Sequence, residues 1–253
     1  MKILVIGNQK GGVGKTSTGV HLTFDSFERG LKVVFIDLDT QGNGSHTLKK
    51  YASGVFASSF FNGGPVNVVN GAETPGLALI ESDSGLANLE SMSLAEAGKA
   101  FRAAMDNLKQ QGFDLCVIDT APSLGVALAA ALYSADYVLS PIELEAYSIQ
   151  GIKKMNAAIA NVRRVNPKLK FLGMVPSKVD SRNPRHGRHL EQLQAAYPQL
   201  IIPTSIGLRS SIADALASGV PVWEIKKTAA RKAAKEVRAL ADLVFKKMEI
   251  TAS

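Results

Sequence analysis

The sequence predicts an α/β fold: a doubly wound, mainly parallel twisted sheet with helices on both faces. Three observations lead there. Short apolar runs alternate with amphipathic or alanine-rich stretches along the whole chain, the pattern of βαβ units. The runs Val33-Val34-Phe35-Ile36 and Leu115-Cys116-Val117-Ile118 are continuously apolar, as expected of parallel strands buried on both faces. A glycine-rich segment, Lys10-Gly11-Gly12-Val13-Gly14-Lys15-Thr16, directly follows the apolar run Ile3-Leu4-Val5-Ile6.

In order, strands are expected at 2–7, 32–37, 77–81, 114–119, 136–140, 169–175 and 199–202. Helices are expected near 16–29, 93–111, 124–133, 145–165 and 187–196. A last helix is the clearest, because Ala230, Ala233, Ala234, Val237, Leu240, Ala241, Val244 and Phe245 recur at helical spacing. Residues 53–76 carry Gly54, Gly63, Gly64, Pro65, Gly71, Pro75 and Gly76 and read as an irregular insertion. No repeat and no linker divides the chain, so residues 1–253 are expected to form one domain. The first strand starts at residue 2, so no N-terminal helix-turn-helix domain is expected.

Bulk properties narrow the function. The 253 residues carry a net charge of +7, a balance that favours a polyanionic partner. No stretch of eighteen apolar residues suggests a membrane span. The single cysteine, Cys116, excludes a disulfide framework or a cysteine-only cluster within one chain. It reads as a small buried hydrophobe, and the cytoplasm as the compartment.

The glycine-rich segment is a phosphate loop. Gly11, Gly12 and Gly14 let backbone N–H groups curl around a polyphosphate, Lys15 reaches its oxygens, and the Thr16 hydroxyl suits Mg2+. The helix that starts here adds its positive end. The common pattern would put glycine at position 9, where Gln9 stands, and Lys10 exceeds what phosphate binding needs. Two acidic sites follow buried strands: Asp37-Leu38-Asp39-Thr40-Gln41-Gly42-Asn43 and Asp119-Thr120-Ala121-Pro122. Carboxylates at the C-terminal strand ends can hold Mg2+ or orient an attacking water.

Together these three motifs make the chain similar to the ParA/MinD family of deviant Walker-A ATPases, and within it to ParA-type DNA-partition ATPases. The resemblance implies ATP and Mg2+ as cofactors and weak ATPase activity. It implies that Lys10 reaches across an ATP-dependent homodimer to the partner's nucleotide. It gives Lys15 the in-chain phosphate contact, Ser17 a further one, Asp39 the attacking water, and Thr16 and (through water) Asp119 the metal. Gly11, Gly12, Val13 and Gly14 complete the phosphate loop; Ser177 and Pro203 fall where the family contacts adenine. Thr40 stands where the family usually has proline, and Ser177-Lys178 where it has asparagine or threonine.

The segment Leu208-Arg209-Ser210-Ser211-Ile212 and Arg231 resemble family positions that bind DNA nonspecifically. The residues agree in kind: Lys226, Lys227, Arg231, Lys232, Lys235 and Arg238 form a basic helical patch able to neutralise phosphates without reading sequence. Arg182, Arg185 and Arg188 form a second candidate cluster. The partners implied are nonspecific double-stranded DNA and a ParB-type centromere-binding protein, with the protein on the nucleoid. The alternative is a MinD-like, membrane-associated positioning ATPase. It is disfavoured because residues 245–253 are short of large apolar residues and the preceding stripe is alanine-rich. An iron-protein-like redox role needs two cysteines per subunit and is excluded.

Overall fold

The computed structural model describes residues 1–68, 76–123, 125–144 and 148–250, with the side chains of 148–150 left aside. Seven strands form one sheet: β1 (Lys2–Ile6), β2 (Val33–Leu38), β3 (Ala52–Phe56), β4 (Leu77–Glu81), β5 (Leu115–Thr120), β6 (Tyr137–Glu143) and β7 (Lys170–Ser177). Their order is β3-β4-β2-β5-β1-β6-β7, and every pairing is parallel. The chain leaves β1 toward β2 on one side and later returns to β6 on the other. That reversal opens a crevice above β1, where open α/β sheets bind ligands.

The helices are α1 (Lys15–Glu28), α2 (Asn43–Thr47), α3 (Leu94–Lys109), α4 (Val126–Ser134), α5 (Ser148–Val162), α6 (Pro184–Ala196), α7 (Ser210–Ser218) and α8 (Thr228–Met248). The period-2 geometry of a strand splits the apolar runs between two cores. Ile3, Val5, Val34, Ile36, Cys116 and Ile118 pack on one face with Phe101, Leu128, Met155 and Leu193 from α3, α4, α5 and α6. Leu4, Ile6, Val33, Phe35, Leu115 and Val117 pack on the other with Val20, Ala215 and Leu240 from α1, α7 and α8. Each such buried side chain contributes roughly 1.5–3 kcal/mol of transfer free energy. Cys116 is a fully buried core residue, and burial raises its thiol pKa.

Local signals explain several boundaries. Ser93 and Glu96 form a reciprocal capping box that starts α3. Asn183 caps α6, whose first residue is Pro184. Gly219, at φ 64, ends α7 in the left-handed conformation.

Six of the expected strands are present, each boundary within three residues of the expected one. The seventh, 199–202, is not a strand: Ile201 makes a single bridge to Met174 on the outer edge of β7. Pro203 follows and offers no N–H to continue a ladder. Within the segment read as an insertion, the structure instead forms β3. Gly54 sits at φ 77, and the β3–β4 register shifts between Ala52 and Phe56, which erases the alternation a sequence would show. Residues 69–75 of that segment lie outside the described residues, as do residue 124, residues 145–147 at the start of the expected fourth helix, and residues 251–253. The short helices α2 and α7 are additions that periodicity did not predict.

Candidate nucleotide and cation site

The crevice above β1 is a cleft of about 550 Å³. Its floor is the loop between β1 and α1. Gly12 (φ 75) and Gly14 (φ 92) take backbone conformations that L side chains rarely adopt, and a Cβ at Gly14 would lie 2.8 Å from Ser177 Oγ. The loop therefore closes tightly against the end of β7. Gly11, Gly12, Gly14, Lys15, Thr16, Ser17, Asp39 and Ser177 all line the cleft. Val13 is buried in the core side of the loop. Pro203 is exposed and does not line the cleft; Ile206, Gly207 and Leu208 form that part of the wall.

Two lysines divide by burial. Lys15 is only 6% exposed, and its ammonium donates to the Lys10 carbonyl at 3.3 Å. Burial lowers its pKa, opposed by Asp119 and Asp39. Lys10 stands at the mouth, where its ammonium meets Glu143 Oε2 at 2.9 Å at the end of β6. Lys178 meets the other oxygen of Glu143 at 3.2 Å. Burial would raise the Glu143 pKa, but the two ammonium groups hold it below the ordinary range. Lys178 itself lies at φ 54, an uncommon backbone conformation placed at the cleft wall.

Three aspartates meet beneath the loop. Asp37 and Asp119 are register partners on β2 and β5, both fully buried. Asp37 accepts from the Asp39 N–H (3.1 Å) and from Ser45 N–H and hydroxyl (2.7 and 2.8 Å). Burial raises its pKa against those bonds. Asp119 Oδ1 accepts from Thr120 N–H at 3.0 Å, whereas Oδ2 is buried with no donor in bonding geometry. Burial, then the neighbouring Asp37 charge, pushes Asp119 up to about 8, against the pull of Thr16 and Lys15. An orphaned buried carboxylate oxygen beside a threonine hydroxyl is a donor set that fits a hard divalent cation. Asp39 reaches the cleft itself and is held by Gln41 N–H at 3.0 Å.

Expected residues aside, Asn43, His46 and Thr47 of α2 and Ile212 and Leu216 of α7 also line the cleft. Asn43 closed the Asp37–Asn43 motif; the α7 residues lie far away in sequence and only packing brings them in. Glu143 ends a buried strand, the same placement that singled out Asp119.

The expected basic patch separates into two groups. Lys226, Arg231, Lys232 and Lys235 are exposed and make no ion pair among the described residues. Lys227 pairs with Asp214 at 2.7 Å. Arg238 shares a helical face with Arg231 and Lys235 by spacing, but its guanidinium turns to α1. It pairs with Asp25 and Glu28 and stacks 3.7 Å from the Trp223 ring. Arg209 forms a bidentate pair with Glu236 and lines the cleft. Arg238 and Arg209 therefore differ from the expected solvent-facing cations, because buried or half-buried carboxylates on α1 and α8 claim their donors. Of the second cluster, Arg182 pairs with Asp180, while Arg185 and Arg188 are exposed.

His21 links the loop's helix to the approach to α8. Its Nδ1 lies 2.7 Å from the Ser17 carbonyl, and its Nε2 accepts from Val222 N–H at 3.2 Å. Burial lowers its pKa to about 4 against the Ser17 hydrogen bond. Between about pH 6.5 and 4 the unfolded chain binds this proton and the folded chain does not, so acidification favours unfolding. Wild type should lose about 3 kcal/mol more than a His21→Gln variant across that window, measured by urea titration at each pH. Parallel pH profiles would refute the role.

Comparison with known proteins places this geometry. A family model described as an AAA domain matches residues 1–171. Protein IncC of Escherichia coli is 66% identical over 258 aligned residues, covering 99% of this chain and 71% of that protein. The chromosome-partitioning ATPase Soj of Thermus thermophilus is 31% identical, covering 93% of this chain and 95% of that one. Among solved structures, cobyrinic acid a,c-diamide synthase of Mycobacterium smegmatis with bound ATP analogue and magnesium is 27% identical. It has a TM-score of 0.77 and covers 99% of this chain and 96% of that one. With a two-lysine phosphate loop above paired strand-end aspartates, and relatives of this identity along nearly its whole length, the chain belongs to the ParA-type partition ATPases of the ParA/MinD family.

Proposed function

We propose that the chain is an ATP-dependent partition switch whose ATP-bound dimer holds nonspecific double-stranded DNA and releases it on hydrolysis. The carrying observation is the division between its two loop lysines: Lys15 inside the cleft and Lys10 at its mouth. Lys10 at the mouth, 47% exposed and paired with Glu143, would exchange that carboxylate for a second subunit's γ-phosphate, which couples dimer formation to ATP as trans arginines do in other phosphate-loop enzymes.

The glycine backbone, Lys15 and Ser17 bind the polyphosphate. Asp39, in the cleft and fixed by Gln41 N–H, orients the attacking water. Thr16, with Asp119 through water, would hold Mg2+, which supplies charge neutralisation between the phosphates. Ser177 is the adenine-side contact that the cleft includes; Pro203 would have to approach from outside its wall. The exposed cations Lys226, Arg231, Lys232 and Lys235 form the DNA face, with Lys227 at its border. A ParB-type protein is the proposed trigger of hydrolysis, and nucleoid-bound dimer the proposed cellular state.

The packing of α8 favours the DNA reading over the membrane alternative, which needs an amphipathic helix with its apolar face open to lipid. The apolar stripe of α8, from Ala230 to Met248, is buried against the sheet, and no helix among the described residues is long and apolar enough to cross a membrane. DNA retention should require ATP and fail with ADP or no nucleotide. Arg231→Ala should weaken it and reduce the slope of log affinity against log salt by about 1. Retention that ignores nucleotide would sink the switch.

A further inference from the structure

We propose that Lys178 is a further cation for the phosphates of the nucleotide bound in its own chain, and that Glu143 holds it in reserve. Lys178 lines the cleft, and its ammonium lies beside the phosphate loop: a Cβ at Gly12 would stand 3.9 Å from Nζ. The neighbouring Ser177 meets the same loop, its Oγ 2.8 Å from a Cβ placed on Gly14. Consecutive residues of an extended strand point to opposite faces. Lys178, at φ 54, breaks that alternation in a conformation that lysine seldom adopts. Hydrogen bonds on either side impose the turn. Ile206 N–H donates to the Pro176 carbonyl (2.8 Å), Val179 N–H to the Ile206 carbonyl (3.0 Å) and Leu208 N–H to the Val179 carbonyl (3.0 Å). An uncommon backbone conformation that its surroundings enforce, at the wall of a ligand cleft, is a signal of function.

The pairing of the ammonium shows what it serves. Lys178 Nζ lies 3.2 Å from Glu143 Oε1, while Oε2 of the same carboxylate takes Lys10 at 2.9 Å. One anion thus neutralises two cations at the rim of a site suited to a polyanion. The two lysine side chains are 44% and 47% exposed, and ion pairs of that exposure are weak. A nucleotide polyphosphate carries more charge than one carboxylate and forms strong charge-assisted bonds, so it displaces Glu143 from Lys178. Lys15 does not duplicate this contact. It is buried within the loop, whereas Lys178 approaches Gly12 from just beyond the end of β7.

This role rests on the cleft being a nucleotide site, and not on dimers or DNA. Asparagine tolerates positive φ, so Lys178→Asn removes the charge and keeps the turn; its Tm should stay within about 2 °C of wild type. It should weaken ADP with Mg2+ roughly tenfold by titration calorimetry. Tripolyphosphate with Mg2+, read by its competition against ADP, should weaken by the same factor, because the contact is to phosphate and not to the base. Lys178→Arg should stay within about threefold of wild type. Glu143→Gln removes the competing charge and should tighten ADP about threefold. Unchanged affinity in Lys178→Asn overturns the assignment, and so does a loss confined to ADP while tripolyphosphate competes normally. A lower Tm with normal ADP affinity would assign the lysine to the fold instead. Weaker ADP binding by Glu143→Gln overturns the reserve role of Glu143. Wild-type protein that binds no ADP would refute the nucleotide reading itself, a failure visible before any variant is compared.

Discussion

Lys10→Ala should abolish ATP-dependent dimerisation and lower turnover by about 10³-fold or more, while ADP still binds the monomer. Lys15 explains the second half: it is buried in the loop and is the proposed in-chain phosphate contact. Lys10 is 47% exposed and held by Glu143 at the mouth, so its removal leaves the loop's own architecture in place. Lys15→Ala should behave differently and lose nucleotide in the monomer. Light scattering with ATP, ADP and no nucleotide, with phosphate release measured in parallel, separates the two. An ATP-dependent dimer that survives Lys10→Ala would refute the trans role.

Asp25→Ala should destabilise the fold by about 3–5 kcal/mol, a fall in Tm on the order of 10 °C. Asp25 is fully buried on α1 and accepts from Arg29 Nε at 2.6 Å and from Arg238. Alanine removes the carboxylate and leaves two guanidinium groups facing a site without their anion. Glu28 and Asp242 retain one arm of each arginine, which keeps the cost from rising further. The consequence reaches the proposed DNA face, because Arg238 and its stacking on Trp223 hold α8 against the loop's helix. Thermal melts and denaturant titrations decide it, and a loss under about 1 kcal/mol would show the cluster to be a surface feature. Asp25→Asn keeps the shape and should cost less.

Most of the fold was legible because parallel strands are buried on both faces and advertise themselves as uninterrupted apolar runs. β2 and β5 were read that way, and their Asp37 and Asp119 fell where such strands end. β3 was not legible: it is an edge strand, half-exposed, with a left-handed glycine inside it. The Ile201–Ile202 run was the opposite case, apolar because it covers the edge of β7 yet paired only once. Within the site, the glycines, lysines and strand-end aspartates were legible because their chemistry depends on local spacing. The contributions of α7 and α2 to the cleft were not, since they depend on how distant helices pack.

The sequence by itself determined the α/β class, the phosphate loop with its second lysine, and the carboxylates that face it. Those features are local: a strand, a turn and a helix N-terminus lie within sixteen residues, and an uninterrupted apolar run reports each fully buried strand. Tertiary structure alone decided which of the basic residues face solvent. Helical spacing put Arg238 beside Arg231 and Lys235, but a long side chain goes to the carboxylates within its reach, and Asp25 and Glu28 lie more than two hundred residues away along the chain. The same rule drew Arg209 to Glu236. A charge count gives the sign of a surface; pairing with acids brought close by the fold decides which charges are left for a partner.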